Sequence, residues 1–325
     1  MSEALIEAVG IARHYHLGGG RTLRALDGVD LGVGRGATLG LVGESGSGKS
    51  TLGRTLVGLQ TPTLGSIRFE GKDTSAPDTA ALKRLRQQRQ IIFQDPSGAL
   101  NPRMTIGATI IEHLRVQGWS RADARRQAAV VIEQAGLPAA FLSRYPHEIS
   151  GGQRQRAVIA RALSTDPAFI VADEPVSALD VSTRAQIMNL LRELQAERGL
   201  TMLFISHDLS VVAHMCRDVA VMYLGRIVEF APRSALFRAP RHPYTAALLS
   251  AIPLPDPVRE RNRVRTRLQG ETPDPSAVPS GCRFHPRCPR ATELCRTADP
   301  EIRPLEPGHQ VACHHPLPTD SEPAG

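Results

Sequence analysis

The nine residues Gly43–Thr51, GESGSGKST, constrain this chain more than any other stretch. They fit the pattern G-x-x-x-x-G-K-[ST], whose chemistry needs one setting, a buried strand running through a loop into a helix. ATLGLVG, just before, is an apolar run closed by glycine, as a buried strand requires. Just after, Leu52, Leu56 and Leu59 recur at helical spacing. Small residues let such a loop wrap around phosphates with its N–H groups pointing inward, and the helix start adds a partial positive charge. Gly43, Ser45, Gly46 and Gly48 would shape the cradle, Lys49 would neutralise the β- and γ-phosphates, Ser50 would ligate Mg²⁺, and Thr51 closes the motif.

The remaining chain supplies the layers such a loop needs. ALIEAVGIARHY and SIRFEG have the length and β-branched content of strands. AFIVADEP and LTMLFISHD are apolar strands separated by a helix with Ile187, Leu190, Leu191 and Leu194 on one face and Gly199 as its C-cap. Strands alternating with helices imply a parallel sheet covered by helices. From about Ala108 to Leu163 the chain is rich in Ala, Arg and Gln and reads as a helical insertion, broken at Gly136-Leu137-Pro138 and Tyr145-Pro146. VAVMYLGRIVEF reads as a hairpin turning at Leu224-Gly225. Beyond about Pro232 prolines become frequent, and Arg259, Arg261, Arg263, Arg265 and Arg267 occupy every second position. Those five would share a face on a strand, or else form a solvated charge run.

Composition narrows the class. No stretch of the 325 residues approaches the roughly 18 continuous apolar residues of a membrane span. The start, MSEALIEAVG, lacks the basic-then-apolar pattern of a secretory signal. The expectation is a cytoplasmic protein that meets membrane only through a partner. A net charge of +7 permits nucleic-acid contact, but the arginines are dispersed and aromatics are only 4%, which argues against a base-stacking platform. Cys216, on an apolar stretch, reads as core packing. Cys282, Cys288, Cys295 and Cys313 cluster near the end and suggest a metal centre before disulfides.

Two further motifs bear chemistry. AFIVADEP ends an apolar strand in two adjacent acids, costly unless those carboxylates have cationic or polar work. Asp173 would hold Mg²⁺ through water, and Glu174 would polarise an attacking water as general base. In ISGGQRQRAVIARAL, Ser150 and Gln153 form a capping-box pattern opening a helix with Val158, Ile159, Ala162 and Leu163 inward. Gly151 and Gly152 would let a phosphate approach that helix start. Two separate phosphate sites on one chain suggest that each completes the other's pocket across a dimer.

Together GESGSGKST, Gln94 of IIFQDP, ISGGQ, IVADEP, SALD and His207 of ISHD resemble the ATPase cassette of ABC proteins. The resemblance implies an α/β fold: a P-loop NTPase (RecA-like) ABC ATPase core over residues 1–235, with a helical subdomain inserted at about 95–165. It implies a head-to-tail dimer with ATP between GESGSGKST of one subunit and ISGGQ of the other. Gln94 would sense Mg²⁺ and the attacking water, Asp180 would communicate between the two sites, and His207 would contact the γ-phosphate and Glu174. Tyr15 would be the aromatic platform for adenine, unless it is an ordinary strand aromatic.

IIFQDPSGALNPRMTIG, ALFRAPRHPYTAALLSAIPLPDP and GCRFHPRCPRATELC extend the likeness to the F-type ATPase subunit of oligopeptide and dipeptide importers. Residues 236–325 would then be that branch's small, Cys-containing C-terminal extension. Related subunits serve nickel, glutathione or sugars. The branch implies a heterodimer with a D-type ATPase, two transmembrane permeases and an extracytoplasmic solute-binding protein, at the cytoplasmic face of the inner membrane, with no nucleic-acid partner. The C-x₅-C-x₆-C-x₁₇-C spacing is poor for zinc, whose structural sites use closer pairs. Similar tails in the family suggest a [4Fe–4S] cluster; zinc and unligated thiols are the alternatives. A non-transport role on DNA or ribosomes fits less well, because the interval from Thr51 to Ile149 is too short for a long coiled coil and the chain has one cassette.

Overall fold

The apolar runs form two sheets in a computed structural model that describes residues 4–75, 78–252, 261, 268 and 270–319. Strands β1 (Ala4–His16), β2 (Thr22–Gly34), β4 (Leu64–Phe69) and β5 (Lys72–Asp73) make an antiparallel sheet in the order β2-β1-β4-β5. The second sheet has a parallel centre: β9 (Asp218–Tyr223), β3 (Thr38–Val42), β8 (Thr201–Ile205), β7 (Phe169–Asp173) and β6 (Arg89–Ile92), neighbours in that order. Every residue of β7 and β8 is buried, as expected of strands covered on both faces.

Helices follow from periodicity and caps. The phosphate-loop helix α1 (Lys49–Leu56) buries Leu52 and Leu56. It ends one turn short of the expected Leu59, which is 50% exposed, because Gly58 turns left-handed (φ 75°) and stops the helix. After α2 (Thr79–Gln88) and α3 (Pro96–Ala99) come α4 (Ile106–Val116) and α5 (Arg121–Gln134), capped by Thr105 and Ser120. Helix α6 (Gly151–Leu163) opens with the complete Ser150–Gln153 capping box and buries Val158, Ile159, Ala162 and Leu163. Helix α7 (Val181–Arg198) is capped by Asp180, buries Ile187, Leu190, Leu191 and Leu194, and stops at left-handed Gly199. Helix α8 (Leu209–Met215) ends at Cys216, buried 3% exposed within the core, as expected.

The hairpin forms where expected. Leu224 (φ 42°) and Gly225 (φ 77°) both take positive φ between β9 and β10 (Arg226–Pro232), the geometry of a two-residue hairpin turn. Past α9 (Arg233–Arg238) and α10 (Pro243–Ser250) the chain returns to the same sheet. Strands β11 (Arg303–Glu306) and β12 (His309–Val311) add to its edge through β10. Glu229 of β10, fully buried, accepts hydrogen bonds from the N–H groups of Arg241 (2.6 Å) and His242 (3.0 Å) and bonds His309 Nε2 at 2.7 Å. The rings of Tyr223, Tyr244 and Phe284 pack together with centroids 4.7–5.4 Å apart. Of the alternating arginines, Arg261 is exposed, while Arg259, Arg263, Arg265 and Arg267 lie outside the described residues.

Candidate active site

The loop from Gly43 to Lys49 leaves β3 and turns back over the start of α1. Glycine is required twice on steric grounds. Gly48 has φ 107° and a Cβ there would overlap the carbonyl of Ala25; a Cβ at Gly43 would overlap the carbonyl of Met222. The Lys49 ammonium donates to the carbonyls of Gly43 and Glu44, both at 2.8 Å, and to Ser47 Oγ at 3.3 Å. Burial pulls its pKa down, while the charges of Glu174, Asp173 and Glu44 oppose that pull. Ser45 and Gly46 are exposed at the loop's crest.

Asp173 closes β7 with 2% exposure and accepts a 2.9 Å hydrogen bond from Ser50 Oγ. Burial pushes its carboxyl above the usual range, against the Ser50 hydrogen bond and the charge of Arg54. A desolvated carboxylate beside a hydroxyl is a hard-oxygen donor pair of the kind Mg²⁺ prefers, so the residues present fit that ion. At the next residue the backbone flips. Glu174 is left-handed (φ 47°), a conformation that costs a non-glycine residue about 1–2 kcal/mol. Its N–H donates to the Ile205 carbonyl at 3.0 Å, and its side chain is only 14% exposed. Both carboxylate oxygens are held: Oε2 accepts from Gln94 Nε2 at 2.8 Å, and Oε1 lies 3.0 Å from His207 Nδ1. Residues from the ends of β6, β7 and β8 thus converge beside the loop.

The other expected site residues stand elsewhere. Asp180 spends its carboxylate on the cap of α7, accepting from Ser182 Oγ (2.6 Å) and the Thr183 N–H (2.9 Å). The Ser182 bond first, then the Thr183 N–H, holds it well below the usual carboxylate range. In the ISGGQ segment, the Ser150 N–H donates to Gln153 Oε1 (2.9 Å) and the Gln153 N–H to Ser150 Oγ (3.3 Å). Gly152 abuts Thr183, whereas a Cβ at Gly151 would meet nothing nearer than the Arg154 guanidinium at 4.0 Å. Tyr15 donates its hydroxyl to Gln60 Oε1 at 3.1 Å, with the Arg13 guanidinium 4.7 Å from its ring centre.

Cys282, Cys288, Cys295 and Cys313 line one small cavity together with His285, His314 and His315. Burial pushes the thiols of Cys282 and Cys313 up to about 11. Among the described residues, however, no three His, Cys, Asp or Glu side chains close to metal-ion distance. The expected iron–sulfur or zinc centre therefore has no ready-made ion site, because the thiols share a cavity without converging on one point.

Three residues that touch the loop from outside were not assigned to it by the sequence. Glu44 carries its carboxylate outward onto Arg287 and Thr272, and its N–H donates to the buried Tyr244 hydroxyl at 2.8 Å. Arg287, Thr272 and Tyr244 lie some two hundred or more positions along the chain from Glu44, and only the fold brings them there.

The model of the family described as "ABC transporter" matches residues 26–177, and that of "Oligopeptide/dipeptide transporter, C-terminal region" matches 228–295. The chain is 51% identical over 310 residues to a Brucella ovis ATP-binding protein assigned to peptide import, covering 95% of this chain and 97% of that one. It is 47% identical over 317 residues to the dipeptide transport ATP-binding protein DppF of Haemophilus influenzae, covering 96% of each. Among solved structures, it resembles the ATP-binding cassette MJ0796 captured as a post-hydrolysis dimer with ADP and Pi. There the TM-score is 0.64 and the identity 29%, over 70% of this chain and 98% of that one.

Proposed function

The chain belongs to the ABC transporter family, in the branch that carries the oligopeptide/dipeptide transporter C-terminal region, and from that premise we propose that it is the ATP-hydrolysing subunit of an importer of di- and oligopeptides. The observation that carries the chemistry is Glu174, a nearly buried carboxylate clamped by Gln94 and His207 one residue beyond Asp173. Lys49 and the N–H groups of the loop other than those of Glu44 and Ser47, which have partners within the protein, bind the phosphates of ATP, and Tyr15 stacks on its adenine. Ser50 and Asp173, with Gln94, would hold Mg²⁺. When bound, that ion supplies charge neutralisation across the β- and γ-phosphates. Glu174 orients and polarises the attacking water, and His207 and Gln94 fix its carboxylate in one rotamer.

The segment Ser150–Gln153 ends in N–H groups and a fully satisfied cap, with Gly151 open to an approaching phosphate. It grips the γ-phosphate bound to a second cassette, and Asp180 links the two sites. The second cassette is a D-type ATPase, and the pair sits beneath two permeases fed by a solute-binding protein at the cytoplasmic face of the inner membrane. Among the described residues no helix is long and apolar enough to cross a membrane. Of nickel, glutathione, sugar and peptide importers, the peptide reading draws on the relatives' own assignments.

Glu174→Gln is expected to bind ATP, lock a closed dimer and lose at least about 100-fold in turnover, the scale of general-base loss. Single-turnover assays with gel filtration check this, and near-normal turnover would remove Glu174 as base. For the tail, four thiols around one cavity make a [4Fe–4S] cluster the first reading and zinc the second, the sequence spacing being poor for zinc. Iron, sulfide and zinc analysis of anaerobically purified protein distinguishes the two, and absence of all three leaves the thiols unligated.

A further inference from the structure

Within the phosphate loop Glu44 is out of place chemically. The cradle needs small residues and N–H donors, and a carboxylate one residue after Gly43 adds a negative charge where phosphates bind. The fold turns that carboxylate away. Arg287 forks onto it, Nη1 to Oε2 at 2.7 Å and Nη2 to Oε1 at 3.0 Å, and Thr272 Oγ1 donates to Oε2 at 2.8 Å. The Arg287 side chain is 7% exposed, so the pair is little screened by water. The backbone of Glu44 is fixed from both sides as well: its N–H donates to the Tyr244 hydroxyl, and its carbonyl accepts from Lys49. Released, the carboxylate would sit on the loop next to Lys49 and compete with the incoming phosphates for that ammonium.

We propose that Arg287 is a positioning residue of the nucleotide site, which neutralises and holds Glu44 so that Lys49 is free for phosphate. It sits on the short turn His285–Arg287, between Cys282 and Cys288, so the charged contact from the C-terminal region to the catalytic loop is a bidentate ion pair, beside the neutral hydrogen bonds of Thr272 and Tyr244. A two-point guanidinium fork, which lysine cannot reproduce, suits this task because it fixes direction as well as charge.

A charge cycle on the full-length chain, read as the affinity for Mg·ADP, separates this role from a structural one. ADP is chosen because it needs no second cassette to bind. Arg287→Gln is expected to weaken binding at least about tenfold, and adding Glu44→Gln to it should restore affinity to within about threefold of the native chain. Glu44→Gln alone should bind Mg·ADP as tightly or more tightly, since it removes an anion beside the phosphates. Native-like affinity in Arg287→Gln, or a double variant as weak as the single, would overturn the proposal. Should Arg287→Gln fail to fold, Glu44→Gln decides alone: binding weakened about tenfold would show that the carboxylate is needed rather than restrained.

Discussion

Glu174 shows how little room a reactive side chain has for error. Its left-handed backbone ends β7 abruptly and swings the carboxylate between Gln94 and His207, so the strain is spent on aim. A different, half-buried group reports on stability. Partial burial of His113 in α4, aided by the charge of Arg161, pushes its pKa down to about 4. Unfolded, it titrates near its ordinary 6.5. Between those values the unfolded chain binds more protons than the folded one. The stabilisation from neutral His113 is therefore complete above the unfolded value and drains away as pH falls toward about 4. Thermal melts between about pH 7.5 and about pH 5 should show the native chain losing more stability than His113→Gln. Equal slopes for the two would mean that His113 is already charged or already solvated.

The junction of α6 with α7 tests how elements share the site. Gly152 lies so near Thr183 that an added methyl would overlap Thr183 Cγ2, and Thr183 belongs to the cap that Asp180 builds. Gly152→Ala should cost about 1–3 kcal/mol of stability, and Thr183→Ser, which deletes that methyl, should recover most of it. Gly151→Ala, with open space above it, should cost clearly less. Urea denaturation of the three variants checks the ordering; equal losses at 151 and 152 would mean that helix propensity and not contact sets the cost. The start of α6 was legible in advance, because a cap is a local arrangement and Ser150 needs only Gln153, whereas the capping role of Asp180 at α7 was found only in the structure. The early end of α1 was less so, because leucine spacing extends through Leu59 while the left-handed Gly58 overrides it.

Across the whole molecule the same division holds at longer range. The phosphate loop and the hairpin at Leu224-Gly225 depend on neighbours within a few positions, and the Asp173–Glu174 pair stands out as two acids ending an apolar run although its partners are distant, so all three could be read from order and spacing. Bringing Gln94, Glu174 and His207 together needs only that β6, β7 and β8 lie side by side, which alternating apolar strands and helices already imply. The return of the C-terminal chain to the sheet is different. Its edge strand β11 is short, mostly exposed and carries Pro304, and β12 beside it has only three residues, so no apolar run announces them. Likewise the cysteine spacing marked a cluster but not the cavity, and nothing near Glu44 or Arg287 marks the other as its partner. What residue order determined alone was the set of local phosphate and helix-start motifs, since hydrogen bonds over three or four positions need no tertiary help. What the tertiary structure decided was which distant charge faces which, because a buried ion pair depends on three-dimensional proximity that separation along the chain does not encode.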